Sequence, residues 1–307
     1  MVCSVCSTVN PEGTAQCASC KTPFPISPDE MPTSLMEPAS ADAEETSAMS
    51  GWTMPAAAGA VALTPGTVLG GRYELLKLLG EGGMGAVYKA VDRELDRVLA
   101  LKVIRPQFAN EPALLQRFKQ ELVLARQITH RNVIRIFDLG VADGVRFITM
   151  EYVEGRELSE ILKERGKLHP SDAVSYVQQI CEGLHVAHVE GVVHRDLKPA
   201  NVMIDAQGRA LIMDFGIARA MGASTMTRTG ALMGTPVYMS PEQAKGTAVD
   251  ARSDLYTLGV IFYELLTGTV PFKADNVMTM LLMRCQEKPV PPIEVDPSIP
   301  PDRKSVV

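Results

Sequence analysis

The amino-acid sequence predicts an α+β fold in two lobes, and two observations lead to this class. Short strand patterns are concentrated in the first half of the globular region, between residues 73 and 153. After Gly155 the apolar spacing becomes mostly helical, over residues 157–165, 171–190, 251–267 and 275–287. A run of strands followed by a run of helices is typical of α+β proteins.

The predicted strands are short apolar or alternating segments bounded by turn residues. They read YELLKLLG, AVYKAVD, RVLALKVI, NVIRIFDLG and VRFITMEYV. Before the last two, residues 110–128 predict a helix, because Asn110 can cap its N-terminus and Pro112 suits its first turn. The apolar residues of this segment then follow helical spacing. They are Leu114, Leu115, Phe118, Leu122 and Ala125.

Composition narrows the class of protein. The 307 residues are 46% hydrophobic and 21% charged, as expected of a globular chain. The net charge of −6 argues against nucleic acid as a partner, since such proteins normally carry a basic surface. The sequence has no apolar run of about eighteen residues, so we expect no membrane span. It also lacks the features of a secretory signal. We therefore expect a cytoplasmic protein with reduced thiols.

Three regions differ in composition. Residues 1–25 hold four of the six cysteines, and residues 26–66 are rich in Pro, Ala, Ser and Met without sustained periodicity. We predict that the first region is a small module and the second a disordered linker. Residues 67–307 form the predicted globular domain, with an N-terminal lobe over about 67–153 and a C-terminal lobe over about 154–307.

The N-terminal cysteines have the spacing of a metal site. Cys3, Cys6, Cys17 and Cys20 form C-x₂-C-x₁₀-C-x₂-C, and four thiolates can complete a tetrahedron around Zn²⁺. The alternative, a redox pair, would require one C-x-x-C beside a βαβ pattern, which is not found here. The segment resembles small zinc-ribbon modules. We predict a structural Zn²⁺ that folds it, and a docking role for the module.

The segment LGEGGMGAVYKA contains a glycine motif whose meaning is open when taken alone. Gly80, Gly82 and Gly85 have the spacing G-x-G-x-x-G, which suits a dinucleotide-binding turn, a flap over nucleotide phosphates or a flexible hairpin. A dinucleotide-binding turn would begin a helix and be followed by an acidic residue. Here a strand pattern follows, and the later residue is Lys102. This favours the flap, with Lys102 as a positive charge for the phosphates.

A lysine in an apolar strand requires a counter-ion, because an isolated buried ammonium group is costly. Glu121 lies in the predicted helix 110–128, on or beside its apolar face. A single helical glutamate is also often a solvated surface charge. Since Lys102 demands a partner, the sequence predicts a Lys102–Glu121 ion pair.

The segment VVHRDLKPANVMI brings three functional groups into six positions. Asp196 could accept a hydroxyl proton, Lys198 could neutralise a phosphoryl group and Asn201 could hold a metal ion. A predicted strand then ends at Asp214, a second carboxylate suited to Mg²⁺. Each residue alone could be an ordinary turn or cap residue. Their combined order favours phosphoryl transfer.

These motifs resemble the eukaryotic-type Ser/Thr protein kinases, and in particular the bacterial members of that family. GEGGMGAVYKA, LALKVI, HRDLKPAN, DFG and GTPVYMSPE occur in the family's order between about Tyr73 and Pro300. The resemblance implies a bilobal fold with a β-rich N-lobe and a helical C-lobe. It also implies an ATP-dependent enzyme that uses Mg²⁺, or alternatively Mn²⁺, and that acts on Ser and Thr residues of protein substrates.

The resemblance also implies roles for individual residues. Asp196 would be the catalytic base, Lys198 would contact the γ-phosphate, and Lys102, paired with Glu121, would contact the α- and β-phosphates. Asn201 and Asp214 would bind Mg²⁺. The residues implied to line the nucleotide site are Gly80, Glu81, Gly82, Gly83, Gly85, Val87, Ala100, Lys102, Met150, Glu151, Val153 and Met203. Among these, Val87, Ala100 and Met203 would enclose the adenine.

Regulatory positions follow from the same resemblance. Arg195 precedes the base, which in the family accompanies an activation loop ordered by phosphorylation. Thr225, Thr227 and Thr229 are the candidate phosphorylation sites, although threonines are common in loops. We expect autophosphorylation there, through a transient kinase dimer. Thr235 matches the position that helps to select a hydroxyl substrate.

The C-terminus departs from the family pattern. The family continues after PPIEVDPSIP with two further helices and an arginine that pairs with the position of Glu242, whereas this sequence ends at PDRKSVV, where only Arg303 is available. The sequence thus predicts an incomplete C-terminal lobe. Two functions remain open: an active kinase, or a catalytically impaired nucleotide-binding or scaffold protein.

Overall fold

The computed structural model describes residues 63–82, 85–106, 112–215 and 236–300. Its strands are β1 Val68–Leu69, β2 Tyr73–Gly82, β3 Gly85–Asp92, β4 Arg97–Ile104, β5 Ile136–Ala142, β6 Val145–Met150, β7 Gly155–Glu157, β8 Val202–Asp205 and β9 Ala210–Ile212. Its α-helices are α1 Pro112–Gln127, α2 Leu158–Arg165, α3 Pro170–Val189, α4 Pro241–Ala244, α5 Ala251–Thr267, α6 Val277–Gln286 and α7 Pro292–Val295. Single 3₁₀ turns lie at Pro199–Asn201 and Pro236–Tyr238.

The N-terminal lobe contains one antiparallel sheet in the order β1-β2-β3-β4-β6-β5. All five predicted strand segments contribute to it, although NVIRIFDLG joins the sheet only at Ile136 and VRFITMEYV leaves it after Met150. Its register places Val87 opposite Lys102 and Ala100 opposite Met150. Directly paired residues share a face of the sheet, as do residues two apart on one strand. These four side chains therefore lie on a single face, although they come from three different strands.

Helix α1 covers part of this lobe, within the predicted segment 110–128. Its apolar spacing buries Phe118, Leu122 and Ala125, each less than 5% exposed. Because these positions recur every three to four residues, they form one apolar stripe. Glu121 lies beside this stripe and keeps 21% of its side chain exposed.

The C-terminal lobe is helical, as the sequence predicts. Its central helices α3 and α5 bury Ile180, Leu184, Ile261 and Leu265 completely. The predicted helical segments match α2, α3, α5 and α6 to within two residues. Among the residues with described structure, no helix combines the length and apolar character required to cross a membrane.

A small sheet in the order β7-β8-β9 lies at the boundary between the lobes. The sequence indicated only the strand that leads to Asp214, because β7 and β8 are too short for a clear alternating pattern. Main-chain hydrogen bonds of 2.9 Å join Ile212 to Asn132 and to Ile134. These bonds connect the strand end before Asp214 to the segment that enters the N-terminal sheet.

Candidate active site

The segment 194–201, here called the catalytic loop, connects α3 to β8. Its Pro199 begins the single 3₁₀ turn that ends at Asn201, since proline fixes φ and cannot donate a backbone hydrogen bond. Lys198 Nζ lies 2.9 Å from Asp196 Oδ2. Asn201 Nδ2 donates to the main-chain oxygen of Asp196 at 2.7 Å and to its Oδ2 at 3.2 Å. The structure thus brings together the carboxylate, the ammonium group and the amide that the sequence singled out.

A buried carboxylate on α5 holds this loop. Asp254 is 1% exposed and accepts hydrogen bonds from the main-chain N–H groups of His194 at 2.8 Å and Arg195 at 2.9 Å. His188 Nε2 lies 2.7 Å from its Oδ2. Burial alone would raise the pKa of the Asp254 carboxyl, but the hydrogen bond from His188 and the other donors outweigh burial and lower it. The loop is therefore anchored by an ionised side chain.

Asp214 follows β9 and faces the N-terminal sheet. Its φ of 60° is unusual for a residue other than glycine, and its Oδ2 lies 2.7 Å from Lys102 Nζ. Burial alone would raise the pKa of Asp214, but the charge and hydrogen bond of Lys102 lower it. The neighbouring Met213 donates to the main-chain oxygen of Asn201 at 2.9 Å. The strand end and the catalytic loop are thus directly connected.

The ion pair that the sequence predicted for Lys102 must be corrected. Lys102 pairs with Asp214, whereas Glu121 Oε1 lies 3.6 Å from Nη1 of Arg195. The requirement for a counter-ion was inferred correctly, because Lys102 is 7% exposed. Its partner was not, since sequence spacing cannot rank two carboxylates that approach the same strand from distant parts of the chain.

The structure places the glycine motif on a β-hairpin. Gly80 and Gly82 lie on β2 and Gly85 begins β3, so a strand follows the motif and the dinucleotide-binding turn is excluded. Gly85 has a φ of 152°, and a Cβ atom there would lie 1.8 Å from the main-chain oxygen of Val103. At Gly80 and Gly82 an added Cβ would meet nothing within 4 Å. Glu81 pairs with Arg105 at 3.3 Å.

The apolar residues implied for the adenine site come together between the lobes. Ala100 and Met150 belong to a buried hydrophobic cluster, and the partly buried Val87, Val153 and Met203 pack against it. Glu151, which connects the lobes near Val153, donates its main-chain N–H to Arg135 at 2.9 Å. The main-chain N–H of Glu151 is thus engaged within the protein.

The oxygen ligands in the site fit a hard cation. Asp214 offers a carboxylate, and Asn201, whose Nδ2 is engaged by Asp196, offers its amide oxygen. Mg²⁺ prefers such ligands and usually completes its coordination with water and phosphate oxygens. Within the described parts of the chain, no group of three or more His, Cys, Asp or Glu side chains forms a metal site by itself.

Several predicted residues lie outside the described residues. They are Cys3, Cys6, Cys17, Cys20, Gly83, Thr225, Thr227, Thr229, Thr235 and Arg303. Glu242, for which an arginine partner was expected, accepts a hydrogen bond from the Ser253 hydroxyl. Burial alone would raise the pKa of Glu242, and the Ser253 bond contributes to lowering it.

Three residues of the site were missed in the sequence. Asp254 anchors the catalytic loop, Gln243 Nε2 donates to the main-chain oxygen of Arg195 at 2.7 Å, and Arg284 contacts the segment after Thr235. Asp254 and Arg284 stand in predicted helices. The only available signal was a charged residue among apolar ones, which is also common on solvated helix faces.

The fold and this arrangement define a two-lobed protein with a glycine hairpin and a buried lysine in its N-terminal sheet, and with a loop of polar residues joined to the carboxylate that binds this lysine. The protein kinase domain family matches residues 73–305, and the chain belongs to this family. It is 43% identical over 235 residues to a probable serine/threonine-protein kinase of Clostridium perfringens, covering 76% of this chain and 34% of that protein. It is 39% identical over 242 residues to the serine/threonine-protein kinase PrkC of Bacillus subtilis, covering 79% and 37%.

A solved structure gives the same result for the fold. The kinase domain of PknI from Mycobacterium tuberculosis superposes with a TM-score of 0.61 at 28% identity, over 77% of this chain and 86% of that domain. The predicted β-sheet N-lobe and helical C-lobe are thereby confirmed. The matches to the curated relatives span 34% to 40% of those relatives' length.

Proposed function

We propose that this chain is a serine/threonine protein kinase that transfers the γ-phosphoryl group of ATP to Ser and Thr hydroxyls of protein substrates. One observation carries the proposal: Asp196, Lys198 and Asn201 form a hydrogen-bonded cluster joined to the strand end that positions Asp214 against Lys102. Protein kinases require this combination of a base, phosphate-binding cations and metal-binding oxygens.

In the proposed reaction, Asp196 accepts the proton of the substrate hydroxyl as its oxygen forms a bond to the γ-phosphorus. The bond between that phosphorus and the bridging oxygen breaks, and the electron pair leaves with ADP. Lys198 and Lys102 stabilise phosphate charge. Asn201 and Asp214 would hold Mg²⁺ or Mn²⁺, which when bound neutralises charge on the phosphate oxygens.

Nucleotide binding is proposed at the face of the N-terminal sheet that carries Lys102. Val87, Ala100, Met150 and Met203 supply an apolar surface suited to an adenine ring. Glycine is not required by packing at Gly80 and Gly82, which supports a role in close backbone approach to phosphates. The remaining residues proposed here are Glu81, Gly83, Gly85, Glu151 and Val153.

Activation by autophosphorylation is part of the proposal. Arg195 lies against Glu121, and a phosphate on Thr225, Thr227 or Thr229 would compete for its guanidinium group. A transient dimer would allow one copy to phosphorylate the other.

The N-terminal region is proposed to be a separate module. Cys3, Cys6, Cys17 and Cys20 would bind one structural Zn²⁺ within residues 1–25 and present a docking surface for a partner protein. Residues 26–66 would be a linker to the kinase domain, 67–307. A cytoplasmic location is consistent with reduced thiols. Native mass spectrometry before and after chelation tests the zinc: one Zn²⁺ per chain is expected.

The first test of catalysis is a measurement of intact mass after incubation with Mg-ATP, with Asp196→Asn as the matched control. Mass increments of one phosphoryl group in the wild-type chain, absent in the variant, are expected. A folded wild-type chain that gains no mass would contradict the proposal and favour the alternative, a nucleotide-binding or scaffold protein.

A further inference from the structure

The segment 236–239, here called the substrate loop, is held by an arginine of α6. Arg284 Nη1 donates to the main-chain oxygen of Pro236 at 3.0 Å and also to that of Met239, while Nη2 donates to Val237 at 2.5 Å. One guanidinium group thus serves three carbonyls of a four-residue segment. Its planar arrangement of donors suits such a cluster, whereas an ammonium group offers no fixed geometry.

The remaining carbonyl of the segment is bound from α5. Thr257 Oγ1 donates to the main-chain oxygen of Tyr238 at 2.9 Å, and the phenolic oxygen of Tyr238 donates to Glu264 at 2.8 Å. The main-chain oxygens of the substrate loop are therefore all bound by side chains of two helices. Irregular backbone that lacks a sheet or helix partner requires such bonds, because an unpaired buried carbonyl is costly.

The charge of Arg284 has an unusual environment. The residue is 4% exposed, and among the residues that the structure describes no carboxylate lies within ion-pair distance of it. Burial lowers the pKa of Arg284. Three backbone carbonyl oxygens and the Phe272 ring, 5.9 Å from its Cζ, are positioned to offset part of this cost.

The substrate loop is also connected, through α4, to the catalytic loop. It follows Thr235, the position that the family resemblance relates to hydroxyl selection, and it leads into α4. Gln243 of α4 donates to the main-chain oxygen of Arg195, the residue before the base Asp196, at 2.7 Å. The substrate loop and the residue before Asp196 are thus joined through α4.

We propose that Arg284 is a positioning residue that fixes the substrate loop in the shape that receives the Ser/Thr-bearing segment of a protein substrate. The proposal rests on the proposed kinase function. It assigns no chemical step to Arg284, which acts only through the backbone of residues 236–239. Loss of Arg284 should accordingly weaken peptide binding while leaving nucleotide binding unchanged.

The test compares the wild-type chain with Arg284→Met, Arg284→Lys and the control Lys288→Met, which removes an exposed positive charge just after α6. The probe is a synthetic peptide pool with one central threonine. KM for this pool, KM for Mg-ATP and hydrogen–deuterium exchange of residues 236–245 are measured. We expect Arg284→Met to raise the peptide KM about tenfold and to change the ATP KM less than about twofold, since three charge-assisted hydrogen bonds are lost.

Exchange in the substrate loop should rise in the same variant, with Arg284→Lys intermediate and Lys288→Met like wild type. If Arg284→Met does not fold, Arg284→Lys provides the comparison. The proposal is overturned if peptide KM and loop exchange stay within about twofold of wild type. It is equally overturned if the melting temperature falls while both stay unchanged, since Arg284 would then be a residue of general stability.

Failure of the proposed function has a different signature. A folded wild-type chain that transfers no phosphate to itself or to the peptide pool contradicts the kinase proposal alone. Loop exchange in the Arg284 variants still decides whether this residue holds residues 236–239, because that measurement needs no turnover. Unchanged exchange there would reject the role of Arg284 independently of activity.

Discussion

The catalytic loop and the substrate loop are each bound by a buried charged side chain, but the two charges have opposite sign. Both segments contain a single 3₁₀ turn, and each is bound by a buried charged side chain of a neighbouring helix. Asp254 of α5 accepts from backbone N–H groups of the first loop, whereas Arg284 of α6 donates to backbone carbonyls of the second. The sign of each anchor follows from which backbone groups face inward.

The two anchors differ in how well their charges are satisfied. A lowered pKa of Asp254 means that its surroundings favour the charged carboxylate. A lowered pKa of Arg284 means that burial disfavours the charged guanidinium, and its Nε has no hydrogen-bond partner among the described residues. The catalytic loop is thus held by the more strongly stabilised anchor. We expect the substrate loop to lose its structure before the catalytic loop under denaturing conditions.

The largest effect is expected from Asp254→Ala. It leaves two buried N–H groups and His188 without their acceptor, which should lower the free energy of unfolding by about 3–5 kcal/mol and abolish phosphoryl transfer. Urea denaturation and intact mass after Mg-ATP incubation are the measurements. Asp275→Ala, at an exposed position, is the control and should match wild type. A loss below about 1 kcal/mol would remove Asp254 from its role as anchor.

The stability contributed by Asp254 should depend on pH, whereas that contributed by Arg284 should not. Because the folded pKa of Asp254 is lowered, its contribution is fully present above the unfolded pKa of about 3.9 and is lost as pH falls through the lower folded value. Each unit of pKa shift corresponds to about 1.4 kcal/mol. Urea denaturation between neutral and acid pH should show the wild-type advantage over Asp254→Ala shrinking below about pH 4.

The same series with Arg284→Met should give a constant difference, because arginine stays protonated across this range. A difference that shrank equally in both variants would indicate general acid unfolding rather than titration of Asp254.

A smaller loss of stability is expected from substitutions of Gln243, which links α4 to the catalytic loop. Gln243 forms a capping box with Ser240 at the start of α4 and also donates to Arg195. Gln243→Glu keeps a capping acceptor but loses the donor, so it should cost about 1 kcal/mol. Gln243→Ala loses both and should cost about 2 kcal/mol. Thermal denaturation checks this order, and a Gln243→Glu variant as stable as wild type would mean that the bond to Arg195 contributes nothing.

The smallest effect is expected at Glu264, under Tyr238 of the substrate loop. Burial raises the pKa of Glu264, and the hydrogen bond from Tyr238 only partly offsets burial. Since its folded pKa is raised, stability is fully present below the unfolded pKa and is lost as pH rises through the folded value. Glu264→Gln keeps an acceptor without charge and should add about 0.5 kcal/mol at neutral pH. Urea denaturation should show no gain below about pH 4.

Local patterns were sufficient for much of this molecule. The alternation of AVYKAVD and RVLALKVI predicted β3 and β4, and the strand after the glycine motif identified the hairpin. The spacing of Asp196, Lys198 and Asn201 identified the catalytic loop, because all three residues lie within one short segment. Where contacts are local in the chain, the sequence was sufficient to predict them.

Long-range partners were not predictable in the same way. Lys102 pairs with Asp214 rather than Glu121, and both carboxylates are distant from it in sequence. Arg284 is a charge in an apolar helical stretch, and Asp254 follows the polar residues Arg252 and Ser253, so neither position signals its partner. Their function depends on the direction of backbone groups in loops that carry no periodic pattern. Only the three-dimensional structure shows which charged side chain binds which loop.

The main chain and the side chain of Arg195 are held by different partners. Its main-chain N–H is bound by Asp254 and its main-chain oxygen by Gln243, so the peptide is pinned on both sides. Its side chain, at Glu121, can exchange partners without dragging the adjoining peptide of Asp196. The partner of this side chain can therefore be changed by substitution at position 121 without moving the main chain next to Asp196.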